Sequence, residues 1–294
     1  MNYKVFIQTN DEQYLGALVG AHALKRNSKQ PHRFDVVILH TRDFLWLRAH
    51  VGESFSRGDE VRVWKAEDLQ SFTPLRFMPP KLMNYHGRSV VIDPDCFAVA
   101  DVMDLFTRDM RGKALMCRIR PGLKGLTDYR ASSVMLLDNA RLTHWDAEKT
   151  FHEMFQGKID YTKWIKLEYE PDETVGYFEN EWNDFDRLTL GTKILHTTYR
   201  RTQPWKAGLP IDFTVREKSG MAGIWQRING KTQSILGVRN VYRRHPDRSQ
   251  EDLFYSLLAE CLKQGLVTEE TVRREMAANH VRHDSLELVQ RWTA

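Results

Sequence analysis

Two aspartates stand one residue apart where an apolar run of the chain ends. Asp93 and Asp95 follow the run at 90–92, and Pro94 between them cannot donate a backbone hydrogen bond, so we expect a buried strand to end there. Ligands of open α/β sheets lie outside the carboxyl ends of strands. Two carboxylates at such a position can bind one hard divalent cation through oxygen ligands. The alternative is that Asp93 caps a turn and Asp95 is solvated.

The first elements of the chain must position such a site. Residues 4–9 form an apolar run that predicts a first buried strand. Tyr14 to about Arg26 has apolar residues at helical spacing and predicts a helix, with Asp11 as its N-cap. Residues 35–40 predict a second strand, and its continuous apolar character is typical of a sheet that helices cover on both faces.

Strand and helix patterns continue as far as about residue 210. Helical segments or turns are predicted at 44–53, 81–85, 101–106 and 147–155, and further strands at 61–64, 88–92, 113–119, 132–138 and 192–196. This alternation predicts an α/β fold with a twisted, mostly parallel sheet and helices on both faces. Residues 1–210 are predicted to form that domain. Residues 211–294 are predicted to form a mainly helical C-terminal extension, with helices at 249–263 and 268–278.

Composition narrows the class of protein. Lysine and arginine number 43 against 39 acidic residues, so the formal net charge of +4 does not indicate a dedicated nucleic-acid binder. Cys96, Cys117 and Cys261 are widely spaced and odd in number, which predicts free thiols in a reducing compartment and no structural zinc site. We expect no signal peptide, because the apolar run at 5–7 follows Met1 almost at once, and no apolar stretch of the sequence is long enough to cross a bilayer. We therefore expect a cytoplasmic protein.

Three stretches together resemble one enzyme family. Residues 6–19 (FIQTNDEQYLGALV) resemble the nucleotide-binding opening of glycogenin and its relatives, and residues 91–95 (VIDPD) resemble the Asp-any-Asp motif of A-type (GT-A) glycosyltransferases. Residues 194–206 (ILHTTYRRTQPWK) are similar to the late histidine, basic loop and Pro-Trp of the same family. The family is the retaining sugar-nucleotide transferases that include glycogenin and bacterial galactosyltransferases (family 8). The order and spacing of the stretches, more than any one of them, indicate the resemblance.

The resemblance implies a GT-A fold and a set of site residues. It implies that a manganese or magnesium ion is held against the donor diphosphate by Asp93, Asp95 and His196. It implies that the nucleoside is received by Thr9, Asn10, Asp11 and Tyr14. It implies further donor and phosphate contacts from Arg76, Arg200, Arg201 or Lys206. This assignment of residues is chemically reasonable, because a metal and fixed cations stabilise the negative charge that develops on a departing nucleoside diphosphate.

The sequence departs from the family pattern in three places. Ala131-Ser132-Ser133 stands where the family has an acceptor-side Asn-Ser-Gly, and Gln203 stands where a lysine is expected in a late loop that is one residue longer. The family's Asp-Gln-Asp beside the sugar has no clean match, and Asp160 and Asp172 are the candidates for that catalytic position. These changes indicate an altered sugar or acceptor, or lost activity.

The implied function is metal-dependent transfer of a sugar, with retention, from a nucleotide-sugar donor, for which a UDP-sugar is expected. The acceptor is a hydroxyl of a carbohydrate, a lipid-linked molecule or a protein. Two alternatives stay open. A non-catalytic homologue could bind nucleotide sugar without turnover. A nucleotidyltransferase is disfavoured, because residues 9–12 occupy the place of its glycine-rich phosphate loop. The base, the sugar, the acceptor and homo-oligomer formation are not determined.

Overall fold

The computed structural model describes residues 3–122, 127–213 and 241–292 of the 294-residue chain. Its strands, numbered in chain order, are β1 Tyr3–Thr9, β2 Phe34–His40, β3 Ser54–Arg57, β4 Glu60–Val63, β5 Arg88–Ile92, β6 Cys96–Ala98, β7 Leu115–Arg120, β8 Tyr129–Asp138, β9 Val175–Tyr177, β10 Asp184–Phe185 and β11 Ile194–His196. Its α-helices are α1 Tyr14–Arg26, α2 Pro79–Leu82, α3 Met103–Phe106, α4 Ala147–Phe155, α5 Tyr161–Ile165, α6 Arg248–Lys263, α7 Glu269–Ala277 and α8 Ser285–Gln290.

Six strands form the central sheet in the order β2-β1-β5-β8-β7-β9. Both neighbours of β1 are parallel to it, whereas β8 runs antiparallel to β5 and to β7. Side chains alternate between the two sheet faces, with Phe6, Val91 and Met135 in one core cluster and Val5 and Val90 in another. Because both faces of the central sheet are buried under other elements, its strands have continuous apolar sequences. The predicted α/β fold with a mainly parallel sheet is confirmed.

A second, three-stranded sheet carries the late histidine to the first sheet. Strand β11 pairs antiparallel with β6, and this register sets His196 opposite Cys96. The backbone N–H of Thr197 also donates to the carbonyl of Asp95, at 3.1 Å. Residues about one hundred positions apart are thereby held side by side at the end of β5.

Two glycines of α1 let the loop that follows β5, residues Asp93–Asp95, lie directly on the helix. A Cβ at Gly16 would lie 2.6 Å from the carbonyl oxygen of Pro94, and a Cβ at Gly20 would lie 3.0 Å from that of Cys96. These glycines are four residues apart and therefore on one helix face. The absence of side chains at both positions fixes the distance between α1 and the Asp93–Asp95 loop.

The predicted helices of the C-terminal extension are present and pack on α1. Phe254 of α6 stacks on Trp205, with ring centroids 4.8 Å apart, and both belong to the core cluster that includes Leu15 of α1. Glu260 accepts hydrogen bonds from His22 and Arg26. Burial alone would raise the pKa of Glu260, but these two hydrogen bonds outweigh the effect of burial, and the pKa is lowered. Residues 214–240 of the predicted extension lie outside the described residues. In the described ranges, no helix combines the length and the apolar character that crossing a membrane requires.

Three local predictions are wrong. Residues 61–64 do not join the parallel sheet, because β3 and β4 form a separate antiparallel hairpin whose turn uses Gly58 at φ +61°. The segment 44–53 has only a short 3-10 turn at Leu45–Arg48 and no α-helix. Asp11 does not cap α1, since the helix is entered through a 3-10 turn, Asp11–Gln13, without a side-chain capping bond.

Candidate active site

A cavity of about 390 Å³ opens where β5 ends, and Asp93, Asp95 and His196 all contribute to its wall. The loop between β5 and β6 is fixed by backbone bonds on both sides. The N–H of Asp93 donates to the carbonyl of Ser133 on β8 at 2.9 Å, and the N–H of Cys96 donates back to the carbonyl of Asp93 at 3.2 Å. The structure brings these three side chains together at the carboxyl end of β5.

Asp93 is held by a buried arginine. Arg76 donates through Nε to Asp93 Oδ1 at 2.9 Å and through Nη2 to Oδ2, and its Nη1 donates to Ser132 Oγ at 2.9 Å. Gln8, fully buried at the end of β1, also donates to Asp93 Oδ1. Burial would lower the pKa of Arg76, but the facing carboxylate raises it, so the guanidinium is charged. Burial itself raises the pKa of Asp93, and Arg76 opposes that effect.

The carboxylate of Asp95 faces the ring of His196 directly. Asp95 Oδ1 lies 3.2 Å from His196 Nε2 and has no hydrogen-bond partner among the described residues, whereas Oδ2 accepts from Gln203 at 3.2 Å. The amide nitrogen of Asn183 donates to Ser133 Oγ at 3.0 Å, which leaves its oxygen to accept from His196 Nδ1 at 2.8 Å. A neutral imidazole with its proton on Nδ1 presents a lone pair at Nε2, toward the carboxylate.

This arrangement fits a divalent cation. A lone pair that faces a carboxylate oxygen is stabilised by a positive charge that both can coordinate, and a second group that orients the histidine is typical of metal sites. The donor atoms of Asp95, Cys96 and His196 lie within 4.8 Å of one another. Burial raises the pKa of the Cys96 thiol well above its usual value, which keeps the sulfur protonated and a poor ligand. Asp93 Oδ2 is 4.0 Å from His196 Nε2, and both Asp93 oxygens already accept hydrogen bonds.

The residues expected to receive the nucleoside adjoin a second cavity of about 290 Å³, whose wall includes Asn10, Asp11 and Trp64. Asn10 donates to Ser71 Oγ at 3.2 Å, and its buried oxygen has no partner among the described residues. Asp11 is exposed, and its carboxylate lies 3.2 Å from Nε2 of His40. The Tyr14 and His40 rings meet edge to face at 5.4 Å. Thr9 is buried and bonds to the carbonyl of Asn10.

The predicted phosphate contacts separate into two groups. Arg200 lines the larger cavity, and burial lowers its pKa from a usual value far above neutrality, so it stays charged. Lys206 is fully buried, pairs with Asp212 and does not line that cavity; burial lowers its pKa as well. Arg201 does not line it either.

Neither candidate for the missing catalytic carboxylate lies in the cavity wall. Asp160 caps α5 by accepting from the N–H of Lys163 at 2.9 Å and from that of Gly58 at 2.7 Å. The side chain of Asp172 is 95% exposed and pairs with Arg130. Both positions have local structural roles in the described chain.

Sequence reasoning missed several residues that build the site. Gln8 and Asn183 orient Asp93 and His196, and Arg57, Arg120 and Lys166 add positive charge to the cavity wall. Gln8, at the carboxyl end of β1, was the one with a sequence signal, because it is polar within an otherwise apolar strand. The other four lie in segments whose pattern gives no such signal.

Neither a protein-family profile nor a curated protein matches the chain. Solved structures with a similar fold include the galactosyltransferase LgtC in complex with donor and acceptor sugar analogues, which is 11% identical (78% of this chain and 95% of that chain covered, TM-score 0.47). They also include the glycosyltransferase GlyE of Streptococcus pneumoniae TIGR4, 13% identical (81% and 64% covered, TM-score 0.48), and mouse xyloside xylosyltransferase 1, 14% identical (68% and 98% covered, TM-score 0.43). All three belong to the class, glycosyltransferases, that the sequence stretches resemble.

Proposed function

We propose that this chain is a metal-dependent glycosyltransferase that uses a nucleotide-sugar donor, with a UDP-sugar as the expected one. The observation that carries the proposal is the pair Asp95 and His196, whose Oδ1 and Nε2 atoms lie 3.2 Å apart in the wall of a cavity rich in arginine. A cation-binding pair beside fixed cations is suited to stabilising a departing diphosphate.

The transfer breaks the bond between the sugar C1 and the diphosphate oxygen and forms a bond between C1 and the acceptor oxygen. The acceptor hydroxyl loses its proton, which leaves with the nucleoside diphosphate. A manganese or magnesium ion bound by Asp95 and His196 would supply charge neutralisation at the diphosphate. Retention of the anomeric configuration enters the proposal through the sequence resemblance.

The residues of the chain act mainly by fixing charge and geometry. Asn183 holds His196 in the tautomer that presents Nε2, and Gln203 orients Asp95. Arg76 donates hydrogen bonds to both Asp93 and Ser132, which fixes the distance between the end of β5 and the adjacent strand β8. Arg200 lines the cavity as a second fixed cation for the phosphates. Preorganised charges of this kind need no rearrangement when the bond breaks.

Nucleoside recognition is proposed at the smaller cavity. The free oxygen of Asn10 can accept a hydrogen bond from the base or the ribose, and Asp11 presents a second acceptor at the same end of β1. The ring of Tyr14 supplies an aromatic surface beside them.

A second function, nucleotide-sugar binding without turnover, is favoured by one observation. Within residues 3–122, 127–213 and 241–292, the carboxylates that line the larger cavity are Asp93 and Asp95, and both are engaged in the arrangements described above. No further carboxylate of those ranges lines the cavity to act as nucleophile or base.

Turnover separates the two functions. Purified protein is incubated with manganese and each of several UDP-, GDP- and CDP-sugars, and release of the nucleoside diphosphate is measured with and without acceptor. We expect release from one donor, and a loss of about 100-fold or more in Asp95→Asn, as for removal of a group that acts on transition-state charge. Asp104→Asn is the matched control and should keep full activity, since that side chain is exposed and lies outside the cavity wall. Binding of a donor without release would support the non-catalytic function.

A further inference from the structure

The larger cavity has more positive charge than its own carboxylates neutralise. Six cationic side chains line it: Arg57, Arg76, Arg120, Arg130, Lys166 and Arg200. Arg76 is paired with Asp93, and Arg130 is paired with Asp172. The other four have no carboxylate within ion-pairing distance among the described residues. An excess of unpaired cations in a concave wall attracts anionic ligands.

Two of these four cations lie on the side of β1. Arg57 donates to the side-chain oxygen of Gln70 at 3.1 Å, and its guanidinium lies 4.8 Å from the centre of the Tyr161 ring. Asp68, two residues before Gln70, accepts a hydrogen bond from Asn10 through its backbone carbonyl at 3.1 Å, and Arg200 lies four residues after His196. Arg57 is therefore tied to the segment that contacts Asn10, and Arg200 belongs to the loop that follows His196, so the two adjoin the proposed nucleoside and metal positions.

The other two cations flank Tyr129 at the start of β8. Arg120 is the direct register partner of Tyr129, so their side chains are on one sheet face and about 5 Å apart at Cβ. The ammonium of Lys166 lies 4.9 Å from the centre of the Tyr129 ring. Lys166 follows Ile165, whose carbonyl accepts a hydrogen bond from Ser132 Oγ. Arg120, Tyr129 and Lys166 therefore lie near the segment Ala131-Ser132-Ser133 of β8.

Arg120 and Lys166 are also free to reach a ligand. Arg120 stacks over the Phe185 ring at 4.4 Å and has one long hydrogen bond, 3.5 Å, to Thr198 Oγ1. Lys166 has a ring contact and no hydrogen bond or ion pair of its side chain among the described residues. Aromatic contacts hold the two cations in position without satisfying their hydrogen-bond donors.

We propose that the acceptor is an anionic molecule, carrying a phosphate or a carboxylate beside the reacting hydroxyl, and that Arg120 and Lys166 bind this group. The inference rests on the proposed function. The donor diphosphate brings one ionised oxygen on each of its two phosphates, which Arg57 and Arg200 can neutralise. Arg120 and Lys166 then remain, and a planar guanidinium beside an ammonium suits a phosphate or carboxylate. The transfer itself is unchanged: C1 leaves the diphosphate oxygen and bonds to the acceptor oxygen, whose proton departs.

The test compares acceptors that differ in one charged group. With the active nucleotide sugar, initial rates are measured on methyl glucoside, methyl glucuronide and glucose 6-phosphate, and on a polyprenyl-diphosphate sugar in detergent micelles. We expect the anionic acceptors to be used at lower KM than methyl glucoside. The soluble and micellar phosphates distinguish a sugar phosphate from a lipid phosphate as the source of the anion.

Variants assign the effect to the two cations. Arg120→Gln and Lys166→Gln should raise KM for anionic acceptors about tenfold or more, the value expected for loss of one charge-assisted hydrogen bond. The KM for the neutral methyl glucoside should change much less than that for the anionic acceptors, and Lys166→Arg should restore most of the affinity. Lys163→Gln is the matched control, because Lys163 lies on α5, the helix that ends just before Lys166, but is exposed and outside the cavity wall.

The outcomes separate this inference from the function on which it rests. If no nucleotide sugar is bound or hydrolysed by the wild-type protein, the proposed function is wrong and the inference falls with it. If donor hydrolysis is normal but neutral and anionic acceptors are used equally, the inference alone is wrong. A preference for a UDP-uronic acid donor together with neutral acceptors would also overturn it, because the two cations would then bind the donor sugar.

Discussion

The replacement Gly16→Ala tests whether the contact between α1 and the strand-end loop sets the geometry of the site. The added Cβ would lie 2.6 Å from the Pro94 carbonyl oxygen, whereas real Cβ atoms essentially never approach within 3.0 Å. The loop that carries Asp93 and Asp95 must therefore move by at least the 0.4 Å that separates these two values. The neighbour is backbone and cannot rotate away as a flexible side chain would.

The magnitude follows from two opposing effects. Alanine stabilises a helix by about 1 kcal/mol relative to glycine. Overpacking of a tight site costs about 1–3 kcal/mol. We expect a net loss of about 0–2 kcal/mol in the free energy of unfolding and a larger effect on the site, because a displacement of about 1 Å can reduce rates about 100-fold. Manganese-dependent nucleotide affinity should fall about tenfold.

Thermal melting and calorimetric titration of UDP with manganese measure both effects. Gly191→Ala is the control, since its Cβ would meet its nearest neighbour at an ordinary 3.8 Å. Gly20→Ala, with a contact of 3.0 Å to the Cys96 carbonyl, should be intermediate. If Gly16→Ala melts at the wild-type temperature and binds nucleotide with wild-type affinity, the close packing of α1 does not position the metal-binding loop.

Three further predictions concern residues that support the site or the C-terminal helices. Arg76→Gln leaves the buried Asp93 without its counter-charge, and the free energy of unfolding in urea should fall by about 3–5 kcal/mol; a change below 1 kcal/mol would mean that the pair is not formed. Asn183→Leu removes the bond that orients His196, so manganese affinity should fall about 10–100-fold, as measured by titration against a metal indicator; unchanged affinity would exclude His196 as a ligand held by Asn183. In the fold the pKa of Glu260 is lowered, so its carboxylate stabilises the protein above the pKa of the unfolded chain, and this contribution disappears as pH falls through the folded value. Glu260→Gln should therefore cost about 0.5–1 kcal/mol at pH 7 and progressively less as pH falls below 4.5 in paired urea denaturations, and a cost that does not change with pH would contradict the assignment.

Local patterns in the sequence predicted five of the six strands of the central sheet, and β9, Val175–Tyr177, was not among them. The β-branched run before Asp93, stopped by Pro94, predicts a strand end correctly because strand formation and termination depend on nearby residues. Residues 61–64 show the limit of such patterns. Val61 and Val63 alternate with charged residues and are exposed on a hairpin, but alternation alone does not specify the partner strand.

Partners that are distant in the sequence were beyond prediction. The family resemblance implied His196 as a metal ligand, but the orientation of His196 by Asn183 depends on a 3-10 turn in a segment without periodicity. Arg76 was expected to touch the donor and lines the larger cavity, but its pairing with Asp93 has no signal in the sequence. Asp11 had the residue type of an N-cap, and the 3-10 entry to α1 turned its side chain toward His40 instead. In each case tertiary packing decided which of several local interpretations is realised.

Calorimetric titration of UDP, with and without manganese, into the wild-type protein, Asp95→Asn and Asp104→Asn tests the proposed metal site most directly. We expect binding that depends on manganese in the wild type and in Asp104→Asn, with a loss of about 100-fold in Asp95→Asn, since one of the two proposed ligands of the ion is removed. Nucleotide affinity that is the same with and without manganese, and the same in Asp95→Asn, would contradict a metal site at Asp95 and His196.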